Sequence, residues 1–192
     1  MARPKEFDRG DALQKAIKVF SAHGYEGSST GALLRGMGIS RQSLYDTFGD
    51  KRKLYLEALQ TYTAVSVSSL TQALNAGSSP LKGLEAMLYG FAARPHEDAA
   101  LGCLGVSAIC EFGRSDRDVS VVSDTMGHIL RTAFERMIIE AKQAKEIDSN
   151  IDAGAAARFL NATLLGMKVS ARGGASAEIL RDIARMAIRS LR

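Results

Sequence analysis

Apolar side chains recur at helical spacing along nearly the whole chain, and no stretch alternates apolar and polar residues as a half-buried strand would. That single pattern confines the fold to packed helices. Leu13, Ala16, Ile17 and Phe20 fall on one face of a first helix over about 8–23, with Gly24 placed to end it. The loop Gly27-Ser28-Ser29-Thr30 offers N-caps to a short second helix bearing Leu33, Leu34 and Met37. Gly38 stops that helix and Ser40 can cap a third, in which Leu44 and Phe48 form a buried stripe. Asp50 caps a long fourth helix running to about Leu74. Breaks at Gly77-Ser78-Ser79-Pro80, Arg94-Pro95-His96, Gly113-Arg114-Ser115, Asp148-Ser149-Asn150 and Gly173-Gly174 divide the rest into helices over about 81–94, 102–112, 116–146, 152–172 and 176–190. The expected fold class is all-α, with about nine helices.

At 192 residues the chain can bury a sizeable core as one large or two small domains. Its charge is unevenly placed. Residues 1–53 hold ten Lys/Arg against six acids, and that excess of +4 equals the net charge of the whole chain, so residues 54–192 are neutral. A basic first quarter on a neutral remainder fits a small phosphate-facing module joined to a larger protein-like one. Met1-Ala2-Arg3-Pro4-Lys5 leads into charged helical sequence rather than a signal-peptide core, and apolar runs such as Ala86 to Tyr89 are far shorter than a membrane span, so a cytoplasmic location is expected. Cys103 and Cys110 lie about two turns, roughly 10 Å, apart on one helix and cannot bridge each other. His23, His96 and His128 have no ligand spacing, and no Ser/His/Asp arrangement, phosphate-binding loop or dinucleotide fingerprint is present, so neither metal nor cofactor is expected.

The stretch Gly38-Ile39-Ser40-Arg41-Gln42-Ser43-Leu44-Tyr45-Asp46-Thr47-Phe48-Gly49-Asp50-Lys51 reads as the turn and second helix of a helix-turn-helix. Leu44 and Phe48 would anchor it against Ile17, Phe20, Leu33 and Leu34, leaving Arg41, Gln42, Ser43 and Thr47 outward. Arg and Gln can bond bidentately to guanine and adenine edges respectively. Tyr45 and Lys51, with the amides opening the fourth helix, suit phosphates on either side of a groove, and Arg3, Lys5 and Arg9 could add phosphate or minor-groove contacts. The competing reading is a helical ligand-binding or small enzymatic protein whose N-terminal bundle is only scaffold.

From Leu13 to Leu59 the chain resembles the tetracycline-repressor (TetR/AcrR) family of bacterial transcriptional regulators, through Ala16-Ile17 and Phe20, His23-Gly24-Tyr25, Gly38-Ile39-Ser40, Ser43-Leu44-Tyr45, Phe48-Gly49-Asp50-Lys51 and Leu54. The resemblance implies DNA contacts from Thr30, Arg41, Gln42, Ser43, Tyr45 and Lys51. It implies a DNA-binding domain over 1–53 and a ligand-binding and dimerisation domain over 54–192. The implied function is a homodimeric repressor, released from a palindromic operator by a small-molecule inducer. Two departures stand out. The family often has a polar or basic residue where Gly31 stands and a small one where Leu34 stands, so no contact is expected from position 31 and the first two helices should cross at greater separation. Gly31 and Gly36 also weaken the second helix by up to about 1 kcal/mol each.

For the remaining chain, the resemblance places the dimer interface on the last two helices, at Leu160, Leu164, Ile179, Ile183 and Met186, with small residues Ala155, Ala156, Ala162 and Gly166 permitting close approach. Two half-sites on duplex DNA separately demand two recognition helices about 34 Å apart, which a two-fold dimer supplies. Candidate ligand-binding or sensing residues are Phe91, Met126, Phe134 and Met167, soft or aromatic groups that could line a cavity, with Lys168 placed to assist Cys103. Cys103 would stand at the start of a helix, where free amides favour a thiolate that senses oxidants or electrophiles, while Cys110 is expected in the core.

Overall fold

The computed structural model describes residues 7–94 and 102–192; Arg3, Lys5, Pro95 and His96 lie outside the described residues. Within them every regular element is a helix: α1 (Arg9–His23), α2 (Thr30–Met37), α3 (Arg41–Phe48), α4 (Lys51–Asn75), α5 (Pro80–Ala92), α6 (Leu104–Phe112), α7 (Arg117–Gln143), α8 (Ala153–Arg172) and α9 (Ala177–Arg189).

Short polar side chains start these helices by taking up amides that have no intrahelical partner. Asp8 accepts from the amide of Asp11 at 2.7 Å, Ser29 from Ala32 at 3.1 Å, Ser40 from Ser43 at 3.1 Å and Asp50 from Lys53 at 2.8 Å. Ser79, Asp116, Asp152 and Ser176 do the same for α5, α7, α8 and α9. Helix α6 differs, because its N-cap is Cys103, which makes no capping hydrogen bond. Helix α7 ends earlier than its apolar periodicity predicts, since Lys145 turns to a positive φ of 59° and Glu146 reaches back to accept from the amide of Leu81 at 2.9 Å.

The chain forms two compact units. The first comprises residues up to Thr63 together with Cys103–Ser123, and the second comprises Ala64–Gly102 with Asp124–Arg192. This spatial grouping differs from a division at residue 53, because α6 and the first turns of α7 pack with the N-terminal helices. The first unit closes around Phe20, Leu33, Leu44, Phe48, Leu54 and Tyr55, joined by Leu104, Ala108 and Val119. In the second, Leu84, Leu88, Phe134, Ile138, Leu160, Leu164, Met167 and Ala184 are sealed from solvent.

Helices α1 and α2 approach closely at Gly36. A Cβ built on Gly36 would lie 2.5 Å from Cγ2 of Val19, so the missing side chain at 36 admits the neighbouring helix, while Leu34 turns to a half-buried position. The residue that weakens α2 as an isolated helix is the one that lets it dock.

Candidate nucleic-acid interface

Recognition helix α3 is divided by its own periodicity. Leu44 and Phe48 are buried in the first unit's core; Arg41, Gln42, Tyr45 and Asp46 are exposed; Ser43 and Thr47 are half-buried. The inward pair shares one helical face four residues apart, which fixes the outward set on the opposite face. Thr30, Arg41 and Lys51 are the first residues of α2, α3 and α4 respectively, so three of the six expected contacts stand at helix N-termini, where free amides and the helix dipole favour an anion.

Three of the six have local partners that tune them. Ser43 is tied to the N-cap, its hydroxyl lying 2.9 Å from that of Ser40. Gln42 donates from Nε2 to Oδ1 of Asp46 at 2.8 Å. Lys51 holds its ammonium 4.2 Å above the centre of the Tyr25 ring, a cation–π contact that aims the charge while leaving the head partly solvated. Arg9, expected to reach phosphate, is engaged elsewhere. It pairs with Glu57 at 2.7 Å and stacks 5.0 Å from the Phe48 ring, bracing the recognition helix from behind.

Behind Lys51 lies a cluster that periodicity did not reveal. Tyr25, Tyr55, Phe20 and Phe112 meet at ring-centroid distances of 5.0 to 5.6 Å. The Glu111 carboxylate, at the end of α6, accepts from the backbone amides of Tyr25 at 2.8 Å and Glu26 at 3.3 Å. It enters because Gly24 has no side chain: a Cβ there would fall 1.7 Å from Oε1 of Glu111. Arg52 donates to Asp116 and to Asp118, each at 2.9 Å. The amide of Val119 and the Arg52 guanidinium hold the Asp116 carboxyl below its usual range, and the hydrogen bonds to Asp118 and Asp116 raise Arg52. Burial, with Glu111 and Asp116 nearby, pushes the Tyr55 phenol well up. Glu111 and Asp116 lie 60 or more residues from their partners, and no local pattern announces such pairings.

The expected dimer contacts divide. Ile179 and Met186 are exposed and Ile183 half-buried, whereas Leu160 and Leu164 are buried inside the protomer and therefore unavailable as surface. Helix α8 exposes Ala155, Phe159, Ala162 and Val169, with Gly166 between them, and also Arg158 and Arg172. Of the inducer candidates, Phe91, Phe134, Met167 and Lys168 are buried in the second unit, Met126 packs at its margin, and Cys103 is buried in the first. Cys110 is exposed, contrary to expectation, because α6 buries Leu104, Gly105 and Ala108 and position 110 points away from that face. The described residues contain no His/Cys/Asp/Glu group able to hold a metal ion, and no helix among them is long and apolar enough to cross a membrane.

Residues 12–58, which contain this helix-turn-helix, match the model of the bacterial regulatory proteins of the tetR family. Across 184 residues the chain is 33% identical to the HTH-type transcriptional regulator YezE of Bacillus subtilis, covering 95% of each. The chain belongs to the TetR family. A second relative in the family of HTH-type regulators, the transcriptional repressor ComR of Escherichia coli, is 28% identical over 189 residues, covering 97% of this chain and 90% of ComR. Among solved TetR-family structures, a cysteine mutant of the regulator CifR complexed with 26-bp double-strand operator DNA superposes with a TM-score of 0.87 at 29% identity, covering 99% of this chain and 100% of that one. This TetR-family member is a DNA-binding transcriptional regulator and not an enzyme, which removes the scaffold reading.

Proposed function

We propose that the protein is a homodimeric repressor that binds a palindromic operator in the cytoplasm and releases it when an inducer occupies the C-terminal region. The observation that carries the reading is the outward face of α3, with Arg41, Gln42 and Tyr45 exposed over an anchored Leu44 and Phe48. Arg41 and Gln42 read base edges; Thr30, Ser43, Tyr45 and Lys51 bind phosphates and set the register. Residues 1–53 form the DNA-binding domain and 54–192 the ligand-binding and dimerisation domain.

Dimerisation uses Ile179, Ile183 and Met186 of α9 against the exposed small-residue face of α8, with Leu160 and Leu164 supporting it from beneath. The operator of CifR is double-stranded DNA bound by a protein of this fold, which supports the same partner here. Inducer contacts come from Phe91, Met126, Phe134, Met167 and Lys168, and the Cys103 thiol is a candidate second input. Helix α4 opens at Lys51 and carries residues of both units, so it is the transmitting element. Both recognition helices must fit the groove together, and a modest change in their separation lowers affinity steeply.

The test is a gel shift with the DNA upstream of the chain's own gene, repeated as salt rises. Specific retardation that falls steeply with salt, and that Arg41→Ala abolishes while the helix content stays unchanged, is the expected result. A footprint indifferent to Arg41→Ala would remove it from the base readers.

A further inference from the structure

We propose that Asp46 is a specificity-determining positioning residue, which sets the amide of Gln42 so that it selects adenine and rejects guanine. The inference rests on the assignment of Gln42 as a base reader. Gln42 and Asp46 are both exposed on α3, one turn apart on the same face, and Nε2 of Gln42 donates to Oδ1 of Asp46 at 2.8 Å.

A glutamine amide has a donor end and an acceptor end that can exchange by rotation about the last side-chain bond. An ionised carboxylate is an acceptor only, so it admits Nε2 and repels Oε1. With one Nε2 hydrogen committed to Asp46, the amide keeps Oε1 and the second Nε2 hydrogen free. That leaves one acceptor beside one donor, which complements the N6 donor and N7 acceptor of adenine. Guanine presents two acceptors, O6 and N7, on the same edge, and would face Oε1 with a lone pair. A free glutamine could turn its amide to donate to either purine. Asp46 takes that choice away.

The same carboxylate adds negative charge to a helix that approaches phosphates, so it lowers affinity for every sequence while sharpening one position. Asp46→Ala removes both the acceptor and the charge. Asp46→Asn removes the charge and is no longer acceptor-only, because its Nδ2 can donate to Oε1 of Gln42 as readily as its Oδ1 accepts from Nε2.

Binding of the full-length protein to a library of duplexes randomised across the half-site, with selected sequences read out, tests the proposal. Wild type should show one position with about tenfold or greater preference for adenine over guanine, lost in Gln42→Ala. Asp46→Ala should bind all sequences more tightly and reduce that preference to a few-fold at the same position. Asp46→Asn should share both the gain in affinity and the loss of preference, since its amide can turn together with that of Gln42. In the Gln42→Ala background, Asp46→Ala should alter affinity only. An intact preference in Asp46→Ala, or a Gln42-dependent position that favours guanine, overturns the role of Asp46 while Gln42 remains a reader. If Gln42→Ala leaves every position unchanged, the base-reader assignment itself fails.

Discussion

Gly24 shows how one residue serves two purposes. It ends α1 at φ 70° and ψ −172°, a conformation that side-chain-bearing residues avoid, and it leaves the space that the Glu111 carboxylate fills. The carboxylate in turn satisfies two backbone amides at a helix end. Gly24→Ala should therefore cost more than its backbone strain of about 1–3 kcal/mol, since Glu111 must also withdraw. In a Glu111→Ala background only the strain component should remain. Urea denaturation of the four proteins measures the difference, and additive losses would show that the two residues do not share a site. The sequence identified Gly24 as a stop signal but carried no sign of the carboxylate, which arrives from 86 residues away.

Helix α7 begins on a cap with two functions. Asp116 accepts from the amides of Asp118 and Val119 and also pairs with Arg52, at the start of α4. These contacts, the Val119 amide foremost, hold its carboxyl below the ordinary value, so the folded state releases this proton more readily than the unfolded one. The stabilisation is thus present above the unfolded carboxyl value of about pH 4 and is lost as pH falls through the lower folded value. Asp116→Asn should be less stable than wild type at neutral pH and should lose less on acidification. Urea midpoints between neutral and acid pH give the comparison; parallel curves would rule out Asp116 as a source of the acid sensitivity. The break at Gly113-Arg114-Ser115 placed the start of this helix near residue 116, but neither the cap nor the pairing with Arg52 was visible in the sequence.

Assembly is where the whole molecule adds most to its parts. Within the protomer, nothing lies within 4 Å of a Cβ built on Gly166, and its neighbours along that face of α8, Ala162 and Val169, are exposed. A helical glycine with free space costs about 1 kcal/mol relative to alanine, which argues for a reason outside the single chain to keep it. In the proposed dimer that reason is the close approach of a second copy. Gly166→Arg should leave the helix content unchanged and shift sedimentation from dimer to monomer, with operator affinity falling in parallel because both half-sites must be held at once. A dimer that tolerates arginine at 166 would place the interface elsewhere.

The sequence by itself determined that the chain is a set of helices, where nearly every one begins, and which face of α3 is buried. Those features depend on side chains within a few positions of one another, through capping and 3.6-residue periodicity. Tertiary structure alone decided that Gly36 brings α1 and α2 together, that Glu111 and Asp116 join the N-terminal unit, and that Arg9, though exposed, pairs with Glu57 and stacks on Phe48. It also decided that Leu160 and Leu164 are core while Ile179 and Met186 are surface. Periodicity records that a residue is apolar and on a stripe, but not which neighbour covers it, because that depends on packing between residues distant in the chain.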